Sequence, residues 1–367
     1  MNKTIYHKRK RRYTRSLRIS DINNIYSNNL LIYGDNVTAL KFLSTKPEVV
    51  GKVRLIYIDP PYGTKQNFTI SGDRFTTISR MNGGHIAYKD TLTGEEYLKF
   101  LSARLKLMKD IMADDGSIYL HIDSKMGHYV KVLMDNIFGQ KNFINDITRI
   151  KCNPKNFDRK GYGNIKDMIL FYSKTKKYVW NNPRNGIEIG DKDSRFNYSD
   201  ADGRKFTTTP IHAPGETENG PTGKKWRGKN PPPGRHWRYS PEVLDELDRK
   251  GLLHWSSKGN PRKKIYADDI MKNGVKMQDI WEYKDPQVSR YPTEKNLDML
   301  KKIIEASSNS GDIVMDAFCG SGTTLVSAQA LGRKWIGIDS SSAAMNICKR
   351  RLMRYDFLDI AKECSDE

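Results

Sequence analysis

The sequence predicts an α/β protein with a doubly wound, mostly parallel sheet, interrupted by a long, irregular, basic region. Three observations carry this. Apolar strand-like runs alternate with helical runs from Asn29 to about Trp180, and the alternation resumes near Tyr291. The strand-like runs are apolar almost throughout, as strands buried on both faces are. Between the two blocks Gly, Pro, Lys, Arg and Trp displace the alternation. A chain of 367 residues can hold one large α/β domain with an insertion, or two domains.

Residues 1–28 form a basic arm. Its first 18 residues hold eight Lys or Arg and no acid, which suits either a solvated tail or a segment lying on phosphates. The block 29–180 opens with the strand "NLLIYGD", the helix "NVTALKFL" and the strand "VRLIYIDP". The loop Gly63–Asp90 carries Phe68, Phe75 and Tyr88. It reads either as a flap over substrate or as a mobile surface loop. Thr93 and Glu96 have capping-box spacing, and Tyr97, Leu98, Leu101, Leu105, Met108 and Met112 share one helical face behind them. The strand "GSIYLHID" (116–123), the helix "GHYVKVLMDNIFG" and the strands "FINDITRI" and "DMILFYSK" close the block. Residues 181–284 are the irregular insertion. Residues 285–356 resume as the helix "LDMLKKIIEAS", the strand "DIVMDAF", the helix "TTLVSAQALG", the strand "KWIGID" and a helix from about Ser342 to Tyr355; residues 357–367 read as a tail.

Charge narrows the partner. Lys and Arg number 63 against 43 Asp and Glu, a net +20 that favours a polyanion. Nucleic acid fits better than a membrane surface, because no strongly amphipathic basic helix stands out. No apolar run approaches the roughly 20 residues needed to cross a bilayer, and no secretory signal is evident. Cys152, Cys319, Cys348 and Cys364 are scattered, with no CxxC pair and no zinc-like spacing. A reducing cytoplasmic compartment and no metal are expected.

Two segments carry chemistry. In "DIVMDAFCGSGTTL" (312–325), Gly320 and Gly322 permit close backbone approach to a ligand, and the following helix offers N–H groups at its start. A P-loop would need a lysine where Thr323 and Thr324 stand. Leu325 stands where a dinucleotide fingerprint has a third small residue. Asp339, ending the next strand, is placed like an acid that holds ribose hydroxyls. A nucleoside-bearing cofactor accounts for this pattern, as does a plain tight turn. In "YIDPPYGT" (57–64), two prolines stiffen a strand end and remove two backbone donors. A rigid turn, or a Pro-Pro-Tyr ligand of WW domains, would share those letters.

Together, "DPPY" and "FCGSGTT" followed by "GID" resemble the S-adenosylmethionine-dependent amino-methyltransferases of DNA. The order, with DPPY first, a basic variable region next and the glycine turn last, is similar to the β group, a permuted Rossmann-like methyltransferase. "YPTEKNLDMLKKII" (291–304) and "LIYGDNVTAL" resemble further family blocks; Ala317, Glu294 and Asn296 depart from them. The resemblance implies that 29–180 is the catalytic half, 181–284 the target-recognition region and 285–356 the cofactor-binding half. It implies S-adenosylmethionine as cofactor and double-stranded DNA as partner. A companion restriction endonuclease and a homodimer are further expectations.

The catalytic residues are then Asp59, Pro60, Pro61 and Tyr62. An exocyclic amine is a poor nucleophile, and acceptors on its hydrogens improve it. Asp59 and the Pro60 carbonyl supply acceptors, the proline pair fixes them beforehand, and Tyr62 stacks on the flipped base. Asp in the first position resembles the adenine-N6 members, Ser the cytosine-N4 members. The resemblance assigns Asp35 to the cofactor's adenine and Asp339 to its ribose. It assigns Asp316, Phe318, Gly320, Gly322 and Thr323 to the methionine side, and Thr293 and Lys295 to the amino-acid end. Asp35 reads equally as a helix cap, and Lys295 as a solvated lysine.

In the insertion, Arg227, Lys229, Arg235, His236, Trp237 and Arg238 interleave cations with rings, as do Trp255, Lys258, Arg262, Lys263 and Lys264. Arg227, Lys229, Arg235, Arg238, Lys258, Arg262 and Lys263 are the expected DNA contacts, each a phosphate contact before a base reader.

The expected activity is methyl transfer to adenine N6. Cytosine-N4 transfer is the near alternative, and a DNA-binding relative without turnover the other.

Overall fold

The computed structural model describes residues 16–18, 29–61, 66–70, 85–90, 94–154, 158, 160–190, 193–286, 294–353, 355 and 357–361. They divide into two compact units, Met1–Pro183 with Gln278–Glu367, and Arg184–Met277. The sequence placed the insertion at 181–284.

Unit 1 begins with β1 (Ser16–Arg18), β2 (Asn29–Tyr33), α1 (Asn36–Leu43) and β3 (Val53–Ile58). A short antiparallel ribbon follows, β4 (Gln66–Ile70) with β5 (His85–Asp90), inside the stretch read as a loop. Then come α2 (Gly94–Ile111), β6 (Met112–Ile122), α3 (Gly127–Phe138), β7 (Phe143–Ile150) and β8 (Lys166–Ser173). Met112, read as the end of the α2 stripe, opens β6 instead. Thr93 of the expected capping box lies outside the described residues.

Unit 2 holds β9 (Arg184–Asn185), β10 (Tyr198–Ser199), β11 (Lys205–Pro210), β12 (His212–Pro214), β13 (Arg235–Trp237), α4 (Pro241–Arg249), β14 (Leu253–Trp255), β15 (Pro261–Tyr266), α5 (Ala267–Asn273) and β16 (Val275–Lys276). Its four-stranded sheet runs β10-β11-β15-β14. A core of Ile211, Trp226, Trp237, Leu244 and Leu253 gives it its own interior.

Unit 1 resumes with β17 (Ile280–Trp281), α6 (Leu297–Ser307), β18 (Ile313–Asp316), α7 (Thr323–Ala330), β19 (Lys334–Asp339), α8 (Ser342–Leu352) and β20 (Phe357–Ala361). Its ten-stranded sheet runs β1-β20-β2-β19-β18-β3-β6-β8-β7-β17. From β1 to β6 every pairing is parallel. Strand β8 is antiparallel to both neighbours, so the sheet is mixed at that edge. Strand β20 corrects the expected tail at 357, since its residues pair with β2 and β1.

This order is doubly wound. The chain leaves β2 for β3, and β18 and β19 later insert between them. The crevice at such a reversal, outside the carboxyl ends of the strands, is where open α/β sheets bind ligands. Helices α1, α2 and α3 pack apolar faces on the sheet through Leu40, Leu101, Leu105, Met108, Val130 and Met134. Among the described residues, no helix is long and apolar enough to cross a membrane.

Leu120 is fully buried near the end of β6, paired with Ile58 and Leu170. Leu120→Ala is expected to lower unfolding stability by about 2–5 kcal/mol, read by urea denaturation.

Candidate active site

The site grows out of strand register. Parallel pairing sets Met315 of β18 opposite Ile56 of β3. The two chains therefore emerge side by side, one into Asp59-Pro60-Pro61 and the other into the glycine turn. Lys295, just before α6, reaches the corner: its Nζ lies 2.6 Å from Asp59 Oδ2, and both side chains are largely buried. The ammonium expected to meet the cofactor thus sits on the expected catalytic carboxylate. Tyr62 and Thr293 lie outside the described residues.

A buried polar ladder stands behind this corner. Tyr57, two residues before Asp59, contacts His121 Nδ1 through its hydroxyl at 2.9 Å, and His121 Nε2 lies 3.3 Å from Asp167 Oδ2. Burial holds His121 below the ordinary histidine range, so its ring is neutral. A carboxylate can only accept, so Nε2 carries the proton and Nδ1 accepts from Tyr57. Asp167 also takes Lys151 Nζ at 2.7 Å and has Arg149 Nη1 at 3.7 Å. Against burial, the contacts from His121 and Lys151 hold its carboxyl far below the usual range. Arg149 closes the ladder on Asp285 and the Tyr283 carbonyl.

The glycine turn is built around two acids. Asp316 ends β18 almost fully buried; its carboxylate accepts from Thr324 Oγ1 at 2.6 Å and from the Phe318 N–H at 3.0 Å. Burial, with the charges of Asp59 and Asp339 adding, pushes Asp316 up to about 7. Asp339 ends β19 and accepts from the N–H groups of Gly320 and Ser341, each at 2.8 Å. Burial raises it too, and those N–H groups oppose the shift. Gly322 is left-handed, with φ 77°, and serves as the N-cap of α7. A Cβ there would meet Cys348 Sγ at 2.7 Å, so both backbone and space require glycine. Thr323 is buried in the first turn, and Phe318 lies against Phe100 with ring centres 6.1 Å apart.

Asp35 caps α1 by accepting from Thr38 N at 2.9 Å, and its other oxygen takes Arg104 at 3.2 Å. Sequence reading missed Arg104, although it is a charge on the apolar stripe of α2. Its guanidinium stacks on Phe100, 3.5 Å from the ring centre, and donates to Asn36, whose amide donates to the Ala317 carbonyl. It also missed Arg351. This residue pairs with Glu294 at 3.1 Å and donates to Ser321 and Thr323 in the turn. The acid at 294, a departure in the resemblance, thus has a buried cation as partner.

In unit 2 the expected DNA contacts divide. Arg227 is turned onto Asp245 at 3.0 Å and Asp248 at 2.5 Å. Its charge is shared with those two acids, while its side chain stays about half exposed. Lys229 donates to the Gly259 carbonyl, and Lys263 to Tyr239. Lys258 is exposed, and so are Arg235 and Arg238. Arg262 donates to Thr208.

Acids at the ends of adjacent parallel strands, one buried and one partly buried, an uncapped helix start and a proline-fixed carboxylate suit a nucleoside cofactor beside an amine acceptor. The N6/N4 methylase family model, described as DNA methylase, matches residues 53–350. The chain belongs to the N6/N4 DNA methylase family. It is 46% identical over 329 residues to the type II methyltransferase M.EcaI of Enterobacter cloacae, covering 88% of this chain and 69% of that one. It is 25% identical to the StyLTI Mod subunit of a Salmonella typhimurium type III restriction-modification enzyme, and spans about half of it, 51%. Among solved structures, the M1.HpyAVI–SAM complex is similar with a TM-score of 0.47 and 17% identity, over 88% of this chain and 98% of that one. As a family member the chain is a DNA methyltransferase, and the family's methyl source is S-adenosylmethionine. The residues present suit that cofactor, since a buried carboxylate at Asp316 and a partly buried one at Asp339 match the chemistry of cationic and hydroxyl groups.

Asp316 gives this site a pH signature. Its folded value lies above the unfolded value of about 3.9, so its stabilising share is complete below pH ~4 and lost as pH rises through 7. In that window stability is expected to fall by up to about 1.4 kcal/mol per pH unit on its account. Asp316→Asn should remove that slope, read as melting temperature against pH from 4 to 8.

Proposed function

We propose that this enzyme methylates N6 of an adenine rotated out of double-stranded DNA. The observation that carries the reading is the Asp59-Pro60-Pro61 corner, set beside the glycine turn by the pairing of β3 with β18. S-adenosylmethionine, when bound, supplies a methyl on a sulfonium, already an excellent leaving arrangement. The chain's own residues prepare the nucleophile. Asp59 accepts one amine hydrogen and the Pro60 carbonyl the other, drawing the nitrogen toward tetrahedral geometry. The proline pair and Lys295 fix these acceptors before the base arrives, so little reorganisation remains at the moment of transfer. The nitrogen sheds a proton after transfer, and Asp59, already hydrogen-bonded to it, receives it. Tyr62 stacks on the extruded base, worth ~1–3 kcal/mol by analogy with single-strand binders. Asp339 takes the cofactor ribose, and Asp35, through its contacts with Thr38 and Arg104, shapes the adenine end.

Asp at the first motif position favours adenine N6 over cytosine N4. The similarity to a Mod subunit of a type III restriction-modification enzyme supports a place in restriction-modification with a companion endonuclease as partner; a homodimer working in the cytoplasm completes the proposal.

Two outcomes are expected. DNA treated with the enzyme should yield N6-methyladenine on nucleoside analysis; N4-methylcytosine alone would refute the base assignment. Asp59→Ala should reduce labelled methyl transfer by about a hundred- to a thousandfold, the scale of losing a preorganised transition-state contact, while cofactor binding persists by calorimetry.

A further inference from the structure

Unit 2 carries an unusual junction of cations around one imidazole. His212 opens β12, which pairs antiparallel with β13 and sets Trp237 opposite His212. Arg235, two residues before Trp237 on the same face, donates from Nη1 to His212 Nδ1 at 3.2 Å. Arg238 donates from Nε to the His212 carbonyl at 3.2 Å. Arg262, on β15 opposite Pro210, is anchored by Thr208. The charges acting on His212 are Arg235 from β13, Arg262 from β15 and Arg238 just past β13, all positive. Arg235 and Arg238 are exposed. The neighbouring acid on the hairpin, Glu216, accepts from the Gly234 N–H. The neighbouring imidazole, His236, is held at the Gly215 carbonyl.

Like charges converge this way at a cost unless an anion completes the arrangement. We propose that His212, Arg235, Arg238 and Arg262 form a single subsite for one DNA backbone phosphate, and that the phosphate's arrival is coupled to proton uptake at His212. The proposal rests on the DNA-methylation reading and adds what it lacks, a defined phosphate contact in unit 2.

The hydrogen bonding requires the coupling. Arg235 donates to Nδ1, so the free imidazole carries its proton on Nε2. A proton on Nδ1 would face the guanidinium and break that bond. A phosphate oxygen placed between them accepts from both, so the second proton becomes favourable only when the anion is present. Burial and the three guanidiniums hold the free imidazole below the ordinary histidine value, hence neutral at pH 7. The bound phosphate raises it. Binding therefore takes up a proton, and affinity rises as pH falls.

The test uses the full-length enzyme and a mixed-sequence DNA duplex, with affinity measured by fluorescence anisotropy between pH 8 and pH 6 and across salt. The wild type is expected to bind more tightly as pH falls, by up to about tenfold per pH unit for one coupled proton. His212→Gln should lose that dependence. Arg235→Gln with Arg238→Gln should reduce the slope of log K against log salt by about 0.9, the value for one phosphate. A pH dependence that survives His212→Gln, or a slope change near two phosphates, overturns the subsite. Labelled methyl transfer, run in parallel, separates the two readings. Transfer to DNA without these signatures sinks the subsite alone, whereas no DNA binding and no transfer sinks both. Thermal melting of each variant identifies loss of fold, and Arg235→Lys, which keeps the charge, should retain the wild-type salt slope.

Discussion

The parallel pairing of β18 with β3 is the constraint on which the site depends. Asp59 and Asp316 lie far apart in sequence, in halves separated by an entire folded unit. A parallel register delivers the carboxyl ends of both strands to one edge of the sheet. A slip of one residue would turn the side chains of β18 to the opposite face, burying what should face the crevice. After a register shift between Ile313 and Val314, β18 pairs with β3 at Val314 and Met315, and its other side is held by β19. Asp59 and the glycine turn are therefore positioned by the same backbone hydrogen bonds.

Charge within unit 1 is arranged around that edge. Arg104 joins α2 to Asp35, Asn36 and, through Asn36, to the carbonyl of Ala317; Arg351 joins α8 to Glu294 and the glycine turn. Burying such ions costs desolvation that their attraction only partly repays, so stability alone does not account for them. Their effect is positional, since each ties a peripheral helix to the backbone of the turn. The ladder Tyr57–His121–Asp167 does the same for the DPP corner, crossing β3, β6 and β8 beneath Asp59. Site geometry is thus supported by polar contacts on a sheet whose stability comes from apolar burial.

The alternation of apolar runs made the strands and helices of unit 1 readable, because period and composition are local properties. The DPP corner and glycine turn were readable as well, since Pro and Gly act on their own backbone. What escaped was tertiary. "FINDITRI" and "DMILFYSK" read as further strands, and nothing local announced that β8 would run against both neighbours. Residues 357–361 were too few for a pattern and became a strand only by pairing with β2 and β1. Arg351 sits among Lys349 and Arg350 at the end of a helix, where a cation is ordinary, and its contact with Glu294 is legible only in three dimensions. Arg227 shows the mirror case: its letter suited DNA, and its pairing with Asp245 and Asp248 on α4 is legible only in three dimensions.

Unit 2 can vary without disturbing this arrangement, and the reason lies at its ends. Strands β9 and β16 pair antiparallel, so the chain enters and leaves the unit at one place. On the unit 1 side, Asn181 is held by the Ala306 and Ser308 carbonyls at the end of α6, and β17 adds parallel to β7. Both attachment points are thus fixed within unit 1 itself. An insertion whose ends are clamped together imposes little closure cost on its host, since added length raises that cost only logarithmically. The catalytic sheet can keep its register while the inserted unit changes what it contacts.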